Sequence, residues 1–233
     1  MQTPVLFLPG TLCDERLWQP VWHHMAHINR RYVPLQWANS LSDMLQLTSD
    51  RVLPDEKVHL VGFSMGGYIA AKWALQHPSQ VVSLTLIGYC LSGLSSAETQ
   101  RRTDMLRYLR SNAFKPNSAF LANLMHPNRV NDQSVADPVM EMAHDLGKAT
   151  LIAHTQATTP RENLLKDIAR LSSKISLIGA DEDKIAPIND MKTEHGSVRN
   201  ADFYTLNQAG HMMPLEYPQK IAQLLLRCIA PAK

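Results

Sequence analysis

Cysteine is scarce in this sequence, and no paired cysteine motif occurs. Its three cysteines, Cys13, Cys90 and Cys228, stand far apart, and no C-x-x-C pair is found in the 233 residues. A disulfide framework needs several cysteines at suitable spacings, and a zinc ribbon needs two C-x-x-C pairs. The pattern therefore predicts free, buried thiols and a protein of a reducing compartment.

An excess of charge and long apolar runs are also lacking. The formal net charge is +2, and no stripe of Lys and Arg is interleaved with aromatic residues, so no nucleic-acid partner is expected. A membrane helix needs about 20 consecutive apolar residues, and no run approaches that length. The first apolar stretch breaks at Pro9-Gly10, too early for a signal peptide. We therefore expect no membrane span and a cytoplasmic location.

The common metal and phosphate motifs are absent as well. The sequence contains no H-E-x-x-H, no G-x-x-x-x-G-K-[ST] and no G-x-G-x-x-G. These motifs supply zinc ligands, cradle nucleoside triphosphates and bind dinucleotides, respectively. The sequence thus predicts neither a metal site nor a cofactor.

What the sequence does contain is a regular alternation of short apolar runs with longer amphipathic stretches. The predicted strands are residues 4–8, 31–36, 57–63, 81–88, 175–179 and 203–207. The predicted helices lie near residues 18–27, 41–51, 65–77, 163–171, 188–195 and 214–229. Such alternation is typical of a parallel sheet buried on both faces. The prediction is an α/β fold with a doubly wound, mostly parallel sheet of about six or seven strands.

Residues 91–160 interrupt this rhythm. They contain no convincing strand, and their helical patterns at 97–110, 118–125 and 138–155 are rich in Met, Leu and Phe. A long insertion between core strands usually carries function, and flexible apolar side chains suit an adaptable pocket. We therefore expect a helical cap, or lid, at 91–160, inserted into an α/β core of residues 1–90 and 161–233. A plain helical core would have the same composition.

The segment Gly62-Phe63-Ser64-Met65-Gly66 lies between an apolar strand and a helical pattern. A G-x-S-x-G sequence in this setting predicts a nucleophile elbow, a strained turn that lifts the serine hydroxyl clear of the sheet. The N-terminus of the following helix favours an anion beside the serine. Ser64 is therefore the candidate nucleophile.

A serine nucleophile needs a base, and the base needs a third group to fix its tautomer. His211 follows the last predicted strand, at the sheet edge where ligands bind in doubly wound folds. The strand at 175–179 leads into three successive carboxylates, Asp181, Glu182 and Asp183. Asp181 or Asp183 could orient the histidine, Glu182 is expected to face water, and a solvated acidic turn is the alternative interpretation of all three.

Acyl transfer also requires two donors for the negative charge that develops on the carbonyl oxygen. The backbone N–H of Met65 is one candidate. The loop after the first strand offers the other, at Thr11 or Leu12, because Gly10 lets the backbone turn its amides inward. An ordinary Pro-Gly turn would have the same sequence.

Four residues are predicted to line a substrate pocket. Arg102, Met105 and Leu109 fall on one face of a predicted cap helix, and Met212 stands beside the candidate base. Arg102 would bind a negatively charged group on the substrate or on an acidic carrier. The alternative is an arginine whose stem packs on the rim while its charge stays in water.

Residues 9–11, 62–67, 183–187 and 210–216 together resemble the α/β-hydrolase superfamily, in particular small bacterial carboxylesterases and thioesterases with a helical cap. The chain order Ser, Asp, His is the order of that superfamily. The resemblance implies a triad of Ser64, Asp183 and His211, with Asp181 as the alternative acid. Pro9 departs from the family, which usually has a histidine before this glycine.

The activity implied by the resemblance is cleavage of a carboxylic ester or thioester through an acyl-enzyme, with a small acyl compound as the substrate. The same triad could serve acyl transfer, carbon–carbon bond hydrolysis or a lyase reaction. A protein that binds a small ligand on a hydrolase scaffold, without turnover, is the alternative outside the enzymes.

Overall fold

The computed structural model describes residues 2–198 and 201–230. Within them, six strands form one sheet in the spatial order β2-β1-β3-β4-β5-β6, and every neighbouring pair is parallel. The strands are β1 Val5–Leu8, β2 Arg30–Tyr32, β3 Val58–Phe63, β4 Val81–Ile87, β5 Lys174–Ala180 and β6 Ala201–Leu206. The predicted α/β fold with a parallel sheet of six or seven strands is confirmed.

The four inner strands, β1, β3, β4 and β5, are mostly apolar because both faces of the sheet are covered there, whereas the edge strands β2 and β6 are partly exposed. Successive side chains of β1 point to opposite faces, so Val5 and Phe7 join one core cluster while Leu6 and Leu8 join another. All six residues of β3 are buried, as expected for a central parallel strand.

Ten helices are found among the described residues. They are α1 Gln19–His23, α2 Leu41–Ser49, α3 Met65–Gln76, α4 Ser96–Ser111, α5 Ser118–Leu124, α6 Gln133–Ala157, α7 Leu165–Ile168, α8 Ile188–His195, α9 Met213–Glu216 and α10 Pro218–Ile229. Helices α2, α3, α7 and α8 cover one face of the sheet, and α1, α9 and α10 cover the other. No helix in the described ranges is both long and apolar enough to cross a membrane.

Proline shortens two of the predicted elements. The strand predicted at 31–36 ends at Tyr32, and Pro34, which has no backbone N–H to donate, leads into a short 3₁₀ turn. The helix predicted at 214–229 is divided into α9 and α10 directly before Pro218, whose ring cannot continue a preceding helix.

Left-handed backbone marks two further differences from the predicted helices. The helix predicted at 18–27 is reduced to the five residues of α1, and His27 beyond it has a φ of 65°. Inside α6, Gly147 has a φ of 68° and a ψ of −170°, so the helix bends there. Glycine tolerates this conformation without a steric penalty.

Helices α4, α5 and α6 lie between β4 and β5, where the sequence predicted a helical insertion. Helices α5 and α6 add Leu121 and Val139 to the core cluster on one face of the sheet. A separate small cluster joins Leu109 and Leu151 of the insertion to Leu12, in the loop after β1. The insertion therefore packs directly on the loop predicted to hold an acyl oxygen.

His154 of α6 makes this contact polar as well as apolar. The backbone N–H of Leu12 donates to His154 Nδ1 at 3.4 Å, and His154 Nε2 lies 3.1 Å from the carbonyl oxygen of Leu35. Since a carbonyl only accepts, Nε2 carries the proton and the ring is neutral. The side chain is fully buried, and burial lowers the pKa of His154 to about 4. One neutral imidazole thus ties the insertion to the loops after β1 and β2.

This burial predicts a specific acid sensitivity. Between pH 6.5 and pH 4 an unfolded chain protonates this histidine while the folded protein does not, so the stabilisation is complete above pH 6.5 and is lost as the pH falls. When the pH is lowered from 7.5 to 5, we expect the unfolding free energy of wild type to fall by roughly 2 kcal/mol more than that of His154→Gln. Urea unfolding at both pH values measures it.

His144→Gln is the matched control, because His144 lies on the same helix with its side chain 85% exposed. Its unfolding free energy should follow that of wild type at both pH values. If the unfolding free energies of wild type and His154→Gln differed by the same amount at both pH values, a neutral, buried His154 would be contradicted.

Candidate active site

The loops after β1 and β3 meet where the strand order of the sheet reverses. The chain goes from β1 outward to β2 and then returns to the other side of β1 to form β3. In open α/β sheets, the crevice outside the carboxyl ends of the strands at such a point is the usual ligand site. Residues 9–13 and Ser64 both lie there.

Ser64 occupies a strained turn between β3 and α3. Its φ of 52° and ψ of −114° are rare for a residue with a side chain and cost on the order of 1–3 kcal/mol. Two glycines permit the turn. A Cβ on Gly62 would lie 2.7 Å from the Cα of Gly67, and a Cβ on Gly66 would collide with the carbonyl oxygen of Leu8. The strand, turn and helix predicted from the G-x-S-x-G segment are all present.

The structure brings the side chains of Ser64, His211 and Asp183 into one hydrogen-bonded chain. Ser64 Oγ lies 2.9 Å from His211 Nε2, and His211 Nδ1 lies 2.8 Å from Asp183 Oδ2. Because a carboxylate accepts, Nδ1 carries the proton and Nε2 is free to accept from the serine hydroxyl. His211 and Asp183 are buried, whereas Ser64 is partly exposed. This is the arrangement that can activate a hydroxyl for attack.

The three successive carboxylates have different surroundings. Asp183 uses Oδ2 for His211 and Oδ1 for the backbone N–H groups of Ile185 and Ala186, at 2.8 and 2.9 Å. Asp181 instead accepts from the backbone of residues 208 and 209, at 3.0 and 3.2 Å, and so closes the turn before the histidine. Glu182 is exposed. The acid that contacts His211 is therefore Asp183.

Two groups outside the predicted set hold the backbone around His211. The carbonyl oxygen of Leu124, at the end of α5, accepts from the N–H of His211 at 2.7 Å and of Met212 at 3.1 Å. The buried Glu216 carboxylate accepts from Gly210 at 3.0 Å and from His126 at 3.1 Å. Burial raises the pKa of Glu216. A backbone carbonyl has no sequence signature, and the sequence indicates Glu216 only as part of the segment 210–216 that resembles the superfamily.

Two backbone N–H groups beside Ser64 point to no acceptor within the described part of the chain. They belong to Met65, the first residue of α3, and to Thr11. The first N–H groups of a helix have no partner within it. The N–H of Leu12 already donates to His154. Of the two predicted positions in this loop, only Thr11 therefore keeps a free donor.

Two adjoining cavities open at Ser64. The first, here the apolar chamber, has about 280 Å³ and is lined by Leu12, Phe120, Val139, Met142 and Met212 among others. The second, the polar chamber, has about 520 Å³ and is lined by Tyr89, Ser92, Glu98, Arg101 and Lys184 among others. Both chambers are bounded by the insertion on one side and by the sheet-edge loops on the other.

The predicted pocket residues are placed as follows. Arg102 and Met105 line both chambers, and Met212 lines the apolar one. Leu109 lines neither chamber, because it packs against Leu12 and Leu151 in the small cluster of the insertion. Arg161, which the sequence did not single out, also lines both chambers.

Cys13 lies in the wall of the apolar chamber, but burial raises the pKa of its thiol to about 12. It is therefore protonated at neutral pH and a poor nucleophile. All three cysteines are free thiols in the described chain; Cys13 and Cys228 are buried, as the sequence predicted, whereas Cys90 is only half-buried. Within residues 2–198 and 201–230, no group of three or more His, Cys, Asp or Glu side chains is arranged to hold a metal ion.

The chain resembles a lipase and a hydrolase in sequence. The chain is 26% identical over 193 residues to a monoacylglycerol lipase of Xenopus laevis, which covers 72% of this chain and 53% of the lipase. It thus spans about half the length of that relative. It is 22% identical over 207 residues to a 2-hydroxy-6-oxononadienedioate hydrolase of Paraburkholderia xenovorans, covering 83% of this chain and 67% of that one.

Among solved structures, a thermophilic esterase from Thermogutta terrifontis superposes with a TM-score of 0.79 at 18% identity, over 97% of this chain and 89% of the esterase. At that identity the likeness shows the fold alone. The sequence itself matches the profile of the alpha/beta hydrolase fold over residues 38–218, which is most of the chain. The protein therefore belongs to the alpha/beta hydrolase family.

Proposed function

We propose that the protein is a serine hydrolase that cleaves a carboxylic ester or a thioester through an acyl-enzyme on Ser64. The observation that carries the proposal is the chain of hydrogen bonds from Ser64 through His211 to Asp183, at the floor of a cavity large enough for a small substrate. The relatives named above are a lipase and a hydrolase, which supports a hydrolytic enzyme.

In the proposed reaction, His211 Nε2 accepts the Ser64 proton as Oγ attacks the acyl carbon. Asp183 keeps its hydrogen bond to Nδ1–H and stabilises the imidazolium that forms. The carbonyl oxygen becomes negative and receives the N–H groups of Met65 and Thr11. His211 then protonates the departing alcohol or thiol. A water molecule, deprotonated by the same imidazole, releases the acid and restores the serine.

We extend the proposal to the insertion, residues 91–160, which would act as the cap of this site over a core of residues 1–90 and 161–233. Its helices supply Met105, Phe120 and Met142 to the apolar chamber. The carbonyl of Leu124 also binds the backbone of His211, so movement of the insertion would change the position of the base.

A second candidate reaction has support from one relative. The hydrolase of Paraburkholderia xenovorans is named for a keto acid rather than an ester. Hydrolysis of a carbon–carbon bond beside a ketone, using the same three side chains, is therefore the alternative function. Three statements stay predictions from the sequence: the protein is cytoplasmic, it binds no nucleic acid, and its substrate could be attached to an acidic carrier.

The first test is hydrolysis of p-nitrophenyl acetate and butyrate by wild type and Ser64→Ala. We expect kcat/KM to fall by about 10³-fold or more, because the variant lacks the attacking oxygen. Ser79→Ala is the matched control, since Ser79 is exposed and lines neither chamber. It should keep wild-type activity. Equal rates for wild type and Ser64→Ala would refute the assignment.

The second test separates the two aspartates. Asp183→Asn should lower kcat by roughly 10³ to 10⁴-fold, because an amide cannot hold His211 in the required tautomer. Asp181→Asn keeps one carbonyl oxygen for the turn at residues 208 and 209, so we expect less than a tenfold loss. Steady-state kinetics on p-nitrophenyl butyrate give both values. The reverse ranking would assign the role to Asp181.

A further inference from the structure

Two arginines meet where the chambers join. Arg102 lies on α4 and Arg161 in the segment before α7, and both line the apolar and the polar chamber. The other residues common to both walls are Ser64, Met105 and Ile185. The two guanidinium groups therefore border the same space as the proposed nucleophile.

Neither arginine has a carboxylate partner in the described part of the chain. The Nε–H of Arg161 is buried and donates to no acceptor there. Glu98 is the acidic side chain whose charge acts on both arginines, but it lies within ion-pair distance of neither, and its Oε2 accepts from Ser95 in the cap of α4. Burial, together with repulsion from Arg161, lowers the pKa of Arg102 to about 9. Burial also lowers the pKa of Arg161. A guanidinium group stays protonated at neutral pH in proteins, so both arginines carry their charge.

Such an arrangement is costly for a folded protein unless something compensates it. A partly buried charge without a partner loses hydration and gains little in return. The ring of Tyr68, 5.6 Å from the Arg161 guanidinium carbon, interacts with one face of that group but leaves the Nε–H unbound. The hydroxyl of Tyr89, in the wall of the polar chamber, is likewise buried without a partner among residues 2–198 and 201–230.

The walls of both chambers carry more positive than negative side chains. The polar chamber is lined by four cationic side chains, Arg101, Arg102, Arg161 and Lys184, against the two carboxylates of Glu98 and Asp190. Among the described residues, the wall of the apolar chamber includes the two shared arginines and no acidic side chain. A cleft with walls of one sign concentrates ligands of the opposite sign.

We propose that Arg102 and Arg161 form a carboxylate-binding subsite, so that the preferred ester or thioester bears a carboxylate in its acyl or its alcohol part. The inference rests on the proposed function for the reaction, but the subsite is defined by the arginines alone. Guanidinium groups bind carboxylates through paired N–H donors. The nearby charge of Glu98 offsets part of the positive charge, which suits a carboxylate of charge −1 better than a phosphate dianion.

The kinetic test uses two matched pairs of esters. Mono-4-nitrophenyl glutarate is compared with 4-nitrophenyl hexanoate, and 4-acetoxybenzoate with 4-methylphenyl acetate, so the carboxylate is placed in the acyl part or in the alcohol part. In at least one pair, Arg102→Gln and Arg161→Gln should each lower kcat/KM for the charged ester by about tenfold or more. The neutral ester should change by less than about threefold.

Arg110→Gln is the control, because Arg110 is exposed on the same helix and lines neither chamber. It should leave both members of each pair unchanged. Arg102→Lys, which keeps the charge but not the paired donors, should fall between wild type and Arg102→Gln. Losses that are equal for charged and neutral esters, or no loss in either pair, would overturn the proposal.

A binding measurement separates the subsite from the reaction. Glutarate is titrated calorimetrically into the Ser64→Ala protein, alone and combined with Arg102→Gln or Arg161→Gln, and 1,5-pentanediol serves as the uncharged probe. We expect glutarate to bind more tightly than the diol and to lose about tenfold in affinity with either arginine variant. Glutarate binding without ester hydrolysis by wild type would support the subsite and refute the proposed function. If wild type hydrolysed esters but glutarate bound equally well with and without either arginine variant, the subsite alone would be refuted.

Discussion

The hydrogen bond between His211 Nδ1 and Asp183 Oδ2 is the interaction on which the site depends. It places the proton of the imidazole on the side away from Ser64 and leaves Nε2 able to accept the serine proton. The surrounding structure holds this pair in place. The backbone of residues 185 and 186 fixes the carboxylate, Asp181 closes the turn before the histidine, and Glu216 binds the N–H of Gly210.

The second constraint is the position of the loop after β1. The family usually has a histidine before the glycine of this loop, whereas this chain has Pro9. Here a buried histidine from the insertion, His154, accepts from the N–H of Leu12 and donates to Leu35. That bond uses the Leu12 donor and leaves the Thr11 donor free beside Ser64. The insertion thereby supplies both a wall of the chambers and an anchor for the loop that would bind the oxyanion.

The parts of the site that sequence could predict are those encoded locally. The strand, the glycines and the helix around Ser64 are contiguous, and His211 directly follows a strand, so both were predicted. The choice between Asp181 and Asp183 depends on which of two similar side chains faces the histidine after a turn, and the residues alone do not encode this. Thr11 and Leu12 are distinguished only because His154, 142 residues away, accepts from the N–H of Leu12.

The pocket shows the same limit. Helical spacing placed Arg102 and Leu109 on one face of α4, but Leu109 lies further along the helix, where α6 and Leu12 cover it. Arg161 was not anticipated, because it lies in an irregular segment without periodicity. Arg161 lines both chambers only because the chain passes the site after α6, before it forms β5.

The central claim is that Ser64 is an activated nucleophile, and covalent labelling tests it most directly. The protein is treated with a fluorophosphonate, and the modified peptide is identified by mass spectrometry. We predict a single adduct on Ser64, formed in stoichiometric amount by wild type and far more slowly by His211→Ala. An adduct on another residue, or none under conditions that label a known serine hydrolase, would contradict it.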